Sequence, residues 1–224
     1  MHRRAFGRLG FSVLLLLAGR PARAQRVAEF VPDVLPLLPV TDGVMFPNVS
    51  NEIQILAPEH KLLIEDAVKE DSLIGLVTLT PAAPTAPRGR GEIFPIGVVC
   101  VVDDVQRPAD GRLYIRVRAV MRFKVISEDR TRAYRMGHLE LKPETLTPAD
   151  AMTLSTLREQ IDELVKIVEP IVLPRRADDD HINELAFYLD IDLYERQSLL
   201  DQDGIIARAR AMIELLTMKA ANKR

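Results

Sequence analysis

The feature that most constrains the fold is a change of hydrophobic period near residue 145. Before it, apolar residues recur at every second position; after it, at every third or fourth. A strand period does not fit a helix, nor the reverse, so the chain must be a β part followed by an α part. The clearest strand covers residues 112–119. Leu113, Ile115 and Val117 face one way, and Arg112, Tyr114, Arg116 and Arg118 the other. The Asp110-Gly111 pair just before it is a hairpin signal, so this strand should pair back antiparallel on residues 96–106. Further strands are predicted at 35–38, 49–56, 73–79, 122–127 and 134–141. One helix interrupts them: Pro58 suits its first turn, and Leu63/Ala67 and Ile64/Val68 are spaced for its buried side.

The second half reads as helices. Thr147 is an expected N-cap with Pro148 at the first helical position. Leu154, Leu157, Ile161, Leu164 and Val168 follow in a 3-4-3-4 stripe that Pro170 and Pro174 end. Asp178, Asp179 and Asp180 open a second helix favourably for its dipole. Its apolar face is Ile182, Leu185, Ala186 and Leu189. A short helix is predicted at 193–200 and a last one at 204–219, with Ile205, Ala209, Met212, Ile213 and Leu216 inward. Residues 80–92 hold three prolines and two glycines without periodicity and are expected to form a loop or contact element.

The N-terminus has the pattern of an export signal. Arg3, Arg4 and Arg8 precede a short apolar run at 11–18, and Ala22-Arg23-Ala24 supplies a small-x-small cleavage site. The apolar run is far shorter than the roughly 20 residues of a membrane span. The segment 1–24 is therefore expected to be cleaved, with a linker at 25–33, a β domain at 34–145 and a helical bundle at 146–224. The expected location is periplasmic or secreted, with no stable membrane span. The paired arginines suit twin-arginine export and the leucine run suits Sec export. Without residues 1–24 the chain keeps 25 Lys+Arg against 32 Asp+Glu, a net charge of −7, which argues against nucleic acid as a partner. The hydrophobic content of 47% supports a real core rather than disorder.

No catalytic constellation stands out. There is no phosphate-binding Gly-x4-Gly-Lys-Ser/Thr loop and no Gly-x-Ser-x-Gly elbow. The histidines at 60, 138 and 181 lack partners at metal-ligand spacing. The run from Asp178 to His181 reads as a helix start rather than a metal site, and Asp103-Asp104 as a strand-end acidic pair. The lone Cys100, among valines, reads as a small buried hydrophobe. No catalytic residue, metal or cofactor is expected. The one patch suited to binding is basic: Arg112, Arg116, Arg118, Arg122 and Lys124 are predicted to point outward from two adjacent strands. They form either a contact face for acidic groups or a solvated face whose arginines pair with Asp103, Asp104 or Glu128.

Residues 35–47 (LPLLPVTDGVMFP), the helix around 59–68, the run LIGLVTL at 73–79 and IGVVCVVDDVQRPADGRLYIRVRAVMRF at 96–123 together resemble the N-terminal substrate-binding domain of Lon proteases. The likeness in order and spacing covers roughly residues 34–218. It implies an α+β fold: a PUA-like β pseudo-barrel with one helix, followed by a helical bundle. It also implies recognition of polypeptide substrates or a protein partner. The chain ends at Arg224 without the ATPase and peptidase modules of the full-length enzymes, so the resemblance implies a non-enzymatic, stand-alone binding module. The candidate contacts are Phe46, Pro47, Arg112, Arg116, Arg118 and Arg122, with the 80–92 loop. The alternatives are an uncharacterised peptidase or hydrolase with a hidden nucleophile–base pair, or a PUA-like RNA binder should the signal not function. Two positions depart from the family's pattern. Pro47-Asn48 replaces Pro-Gly, and Asn tolerates a left-handed backbone. Ala119 replaces a glycine, and Ala takes positive φ only at a cost.

Overall fold

The structure is a computed structural model and describes residues 29–81, 91–129 and 131–223. Six strands and five helices follow in order: β1 (Val34–Val40), β2 (Ser50–Ile55), α1 (Pro58–Lys69), β3 (Leu73–Thr78), β4 (Ile96–Gln106), β5 (Leu113–Asp129), β6 (Arg135–Lys142), α2 (Pro148–Val168), α3 (Asp178–Tyr188), α4 (Leu193–Asp201) and α5 (Ile205–Asn222). The sheet order is β2-β5-β4-β3-β1-β6, and β6 also pairs with β5. Strands β5, β4, β3, β1 and β6 thus close on themselves, and β2 extends β5 outside the ring. This is the expected β pseudo-barrel followed by helices. The β1–β3 pair is parallel, with α1 in the crossover between them; β1–β6 and the other pairs are antiparallel.

The barrel interior is small and tightly filled. Leu35, Leu37, Val77, Val99, Met121, Phe123 and Leu139 form its core with Val31. Leu37 and Phe123 fit because three strands carry glycine beside them. A Cβ on Gly75 or Gly137 would lie 2.6 Å from Leu37 atoms, and one on Gly97 2.5 Å from the Leu76 carbonyl. The larger core lies outside the ring. It joins Ile115 and Val117 of β5 and Leu63 and Ile64 of α1 to Ile161, Ile182, Leu199, Met212 and Leu216 of the helices. One continuous core therefore spans the strand half and the helical half.

The local sequence signals act as read at most ends. Thr147 caps α2 in a reciprocal capping box with Asp150, with Pro148 in the first turn. Pro58 opens α1, although Val68 at its end is 44% exposed and only Leu63, Ile64 and Ala67 are buried. Asn48 takes the left-handed backbone, φ 66, that the turn after Pro47 requires. Ala119 keeps an ordinary negative φ, because the strain is taken by a bulge instead: between Val99/Cys100 the partners on β5 jump from Met121 to Ala119.

That bulge corrects the strand boundaries expected from the sequence. Residues 112–119 and 122–127 are not two strands but parts of the single 17-residue β5. With Val120 as the extra residue, the side-chain alternation of β5 changes parity at that point. Ile115, Val117 and Ala119 face the outer core, whereas Met121 and Phe123 face the barrel interior.

Candidate functional site

The exposed face of β5 is the centre of a three-strand surface. Tyr114, Arg116 and Arg118 lie on it, with Glu52 and Asp104 flanking Arg116, and Gln54 and Gln106 flanking Tyr114. A second bulge, between Val102 and Asp104, leaves Asp103 outside the register, and Arg118 grips it through Nε and Nη2, both at 3.2 Å. At the hairpin, Arg112 pairs with Asp110 at 2.7 Å and donates to the Tyr114 hydroxyl at 3.1 Å. The Asp110 carboxylate and the Tyr114 ring oxygen hold the Arg112 guanidinium above its ordinary pKa. Two of the three arginines are thus partnered by neighbouring acids. Arg116 makes no ion pair among the described residues, although acids stand beside it on both strands.

Strand β2 is an open edge. It pairs with β5 and with no other strand among the described residues. Ala119 accepts from the Asn48 N–H and donates to the Val49 carbonyl, both at 2.9 Å. Antiparallel pairing alternates. Asn51, Ile53 and Ile55 therefore direct their backbone groups at β5, while Ser50, Glu52 and Gln54 direct theirs away from it. Ser50, Glu52 and Gln54 are exposed, and Leu56 beyond the strand is 71% exposed. Such an edge can accept an added strand.

Three of the residues expected at the surface are instead inside. Phe46 and Pro47 are buried, because the chain after β1 dives beneath the helices before the Asn48 turn. Arg122 is 3% exposed. The parity change at Val120 is the physical reason: it rotates Arg122 off the outward face of Arg116 and Arg118 and into the barrel–helix seam. There its Nε meets Glu144 Oε1 at 2.5 Å, and its Nη1 donates to the Leu200 carbonyl at 3.0 Å. Lys124 is exposed.

Arg122 belongs to a buried network that sequence reasoning missed. Arg208 of α5, fully buried, donates to Glu144 Oε1 at 2.6 Å, Asn183 Oδ1 at 2.6 Å and the Leu199 carbonyl at 3.1 Å. Its guanidinium also sits 5.6 Å from the centre of the Phe46 ring. Burial alone would raise the Glu144 carboxyl pKa, but the Arg208 and Arg122 guanidiniums outweigh it and hold that carboxyl below its usual range. A signal was present in the sequence: Arg208 falls on the apolar stripe of α5, between Ile205 and Ala209. These groups join the barrel to the helices and are turned away from solvent, which makes them architecture.

The other candidates resolve as follows. Asp178 pairs with Arg158 at 2.7 Å and His181 with Asp162 at 2.7 Å, across the α2–α3 contact. Among the described residues no group of three acids, histidines or cysteines could hold a metal, and no helix is long and apolar enough to cross a membrane. Cys100 is fully buried, and burial pushes its thiol far above the ordinary thiol pKa. The 1–24 segment and residues 82–90 of the loop lie outside the described residues. The loop's ends are pinned: the Thr80 N–H donates to the Glu92 carbonyl at 2.9 Å, and Leu79 bridges Ile93.

This fold has relatives. The chain is 27% identical over 206 residues to a Lon protease of Anaeromyxobacter dehalogenans, and 25% identical over 206 residues to Lon protease 2 of Myxococcus xanthus. In both cases 85% of this chain is covered but only 24% of the relative, so the chain spans about a quarter of the length of the curated relatives it matches. Among solved structures, the N-terminal domain of Mycobacterium avium complex Lon protease superposes with a TM-score of 0.60 at 18% identity. It covers 82% of this chain and 98% of that one. A Lon N-terminal domain protein from Xanthomonas campestris gives 0.55 at 20% identity, covering 82% and 97%. Residues 34–218, nearly all of the described chain, match the family described as the ATP-dependent protease La (LON) substrate-binding domain, and the chain belongs to that family.

Proposed function

We propose that this protein is a non-enzymatic polypeptide-binding module that seats an extended segment along the free edge of β2. The observation that carries the reading is the one-sided pairing of β2, with Arg116 close by on an exposed face. An added strand gains backbone hydrogen bonds from Ser50, Glu52 and Gln54 whatever its sequence, which suits a binder of unfolded chains. Arg116 adds a contact for a carboxylate of the bound chain. Family membership supports the same class of partner, because the matched quarter of the relatives is a substrate-binding domain. The reading needs neither nucleotide nor cofactor. It includes export, on the strength of the arginine-rich start, the apolar run and the Ala22-Arg23-Ala24 site.

The test uses protein purified after expression of the full chain, with labelled, reduced and carboxymethylated α-lactalbumin as an acidic, permanently unfolded probe. Saturable binding that weakens as salt rises is expected. Glu52→Pro removes an outward N–H at an edge that tolerates proline, and should weaken binding; Arg116→Glu should do the same. Binding unchanged in both variants rejects this surface. Cleavage of the probe that survives repurification rejects the non-enzymatic reading. The N-terminal sequence of the exported protein tests cleavage after Ala24.

A further inference from the structure

A second surface of the barrel carries a pocket that the β2 edge does not use. The β1–β3 ladder begins only at Leu37↔Gly75, although both strands start earlier. Pro36 has no N–H to offer β3, so the ladder cannot continue past it toward the N-terminus of β1. The two strands part there, and a concavity of about 250 Å³ opens between them. Pro36, Ala67, Leu73 and Met136 line it with apolar surface. Its volume is below the roughly 300 Å³ at which small-molecule sites begin, and it suits one bulky side chain rather than a cofactor.

The rim is charged and lopsided. Glu70 and Asp71, at the end of α1, and Arg132 lie around the mouth. Arg132 is turned to the Tyr134 hydroxyl, to which its Nη1 donates at 3.2 Å, and Tyr134 in turn donates to Asp66 at 3.0 Å. Neither Glu70 nor Asp71 has an ion-pair partner within 4.0 Å among the described residues, and both are exposed. Two carboxylates face one guanidinium that is already engaged, so the mouth favours a cation beside whatever enters.

We propose that this pocket binds a bulky apolar side chain of a polypeptide that carries lysine or arginine next to it. The apolar side chain fills the gap between β1 and β3, and the flanking cation meets Glu70 and Asp71. The inference rests on the polypeptide-binding reading but on a different surface from the β2 edge. It gives the protein a sequence preference that an added strand, held by backbone groups, cannot supply.

The probe is a labelled nonapeptide with one leucine between two lysines in a glycine-serine background, titrated by fluorescence anisotropy against the full-chain product. Replacing its leucine by serine, or its lysines by glutamates, should weaken binding about tenfold or more, the effect of one buried apolar side chain or of reversed charge. Glu70→Lys combined with Asp71→Lys should do the same, and both residues are exposed, so the fold should be kept. Arg116→Glu and Glu52→Pro should leave this peptide's affinity unchanged. The proposal is overturned if the leucine–lysine peptide does not bind, if its glutamate counterpart binds equally well, or if the double variant binds it as the parent does. Weakening by Arg116→Glu or Glu52→Pro instead assigns the peptide to the β2 edge. Loss of α-lactalbumin binding with peptide binding intact would reject the edge and keep the pocket.

Discussion

Arg122 of β5 and Arg208 of α5 converge on one oxygen, Oε1 of Glu144, at 2.5 and 2.6 Å. Glu144 lies in the connection between β6 and α2, so a single carboxylate links the last strand-bearing segment to the last helix. Each guanidinium has a further acceptor, the Leu200 carbonyl for Arg122 and Asn183 and the Leu199 carbonyl for Arg208. Breaking such a group by removing one member leaves charge buried without compensation, which costs about 3–5 kcal/mol. Glu144→Gln is therefore expected to destabilise the protein strongly in urea denaturation. Arg208→Met combined with Glu144→Met and Arg122→Met should recover much of that loss, since the network fixes geometry more than it adds stability. A single Glu144→Gln variant as stable as the parent would show that the carboxylate does not hold the seam.

The same carboxylate sets a pH dependence. Its folded pKa lies below the unfolded value, about 4.3 for Glu. Its contribution is thus complete above the unfolded pKa and is lost as pH falls through the folded one. Through this carboxylate, stability of the parent should decline below about pH 4.3. Glu144→Gln should start lower and show a shallower decline over that acidic range. Parallel declines in the two proteins would assign the acid sensitivity to other carboxylates.

Packing around Phe123 gives a sharper test of the barrel. A Cβ at Gly97 would meet the Leu76 carbonyl at 2.5 Å and Phe123 Cζ at 2.9 Å, and a backbone carbonyl cannot swing aside. Gly97→Ala should cost about 1–3 kcal/mol by overpacking. Gly43→Ala, where nothing lies within 4 Å, should change stability little. Thermal denaturation of the pair measures the difference.

Cys100 offers a readout of unfolding. Its thiol is fully buried, and burial holds it protonated. A thiol reagent such as Ellman's should label it no faster than the protein opens, and the rate should rise steeply in denaturant. Rapid labelling in native buffer would mean that β4 is open to solvent at that point.

Much of this fold could be read along the chain, because its strongest signals are local. The capping box at Thr147, the Asp110-Gly111 hairpin with Gly111 at φ 78, and the helical stripes of α2 and α5 all depend on residues a few positions apart. The turn at Asn48 was legible for the same reason. What escaped depends on contacts between distant segments. Arg122 continues the alternation of Arg116 and Arg118 in sequence, and only the pairing of β5 with β4 introduces the extra residue that turns it inward. Phe46 lies in a turn-like stretch, and only the packing of α5 over it makes it core. Of the two readings left open for the arginine face, a contact face or one paired with acids, the pairing of Arg118 with Asp103 across β4 and β5 matches the second at that residue. The open edge of β2 is a property of sheet order, which no single strand encodes.

The bulge at Val120 gives β5 something like a reading frame. Upstream of it the odd-numbered residues belong to the core shared with the helices; downstream they belong to the barrel. Val120 is the residue that frame can lose: without it, Cys100↔Ala119 and Val99↔Met121 become consecutive regular pairs. With it gone, Arg122 still faces the seam with Glu144 and Phe123 the barrel, with every residue downstream in its present place. Removal of Val120 should therefore be tolerated far better than removal of a paired residue in a regular stretch of β5, such as Ile115.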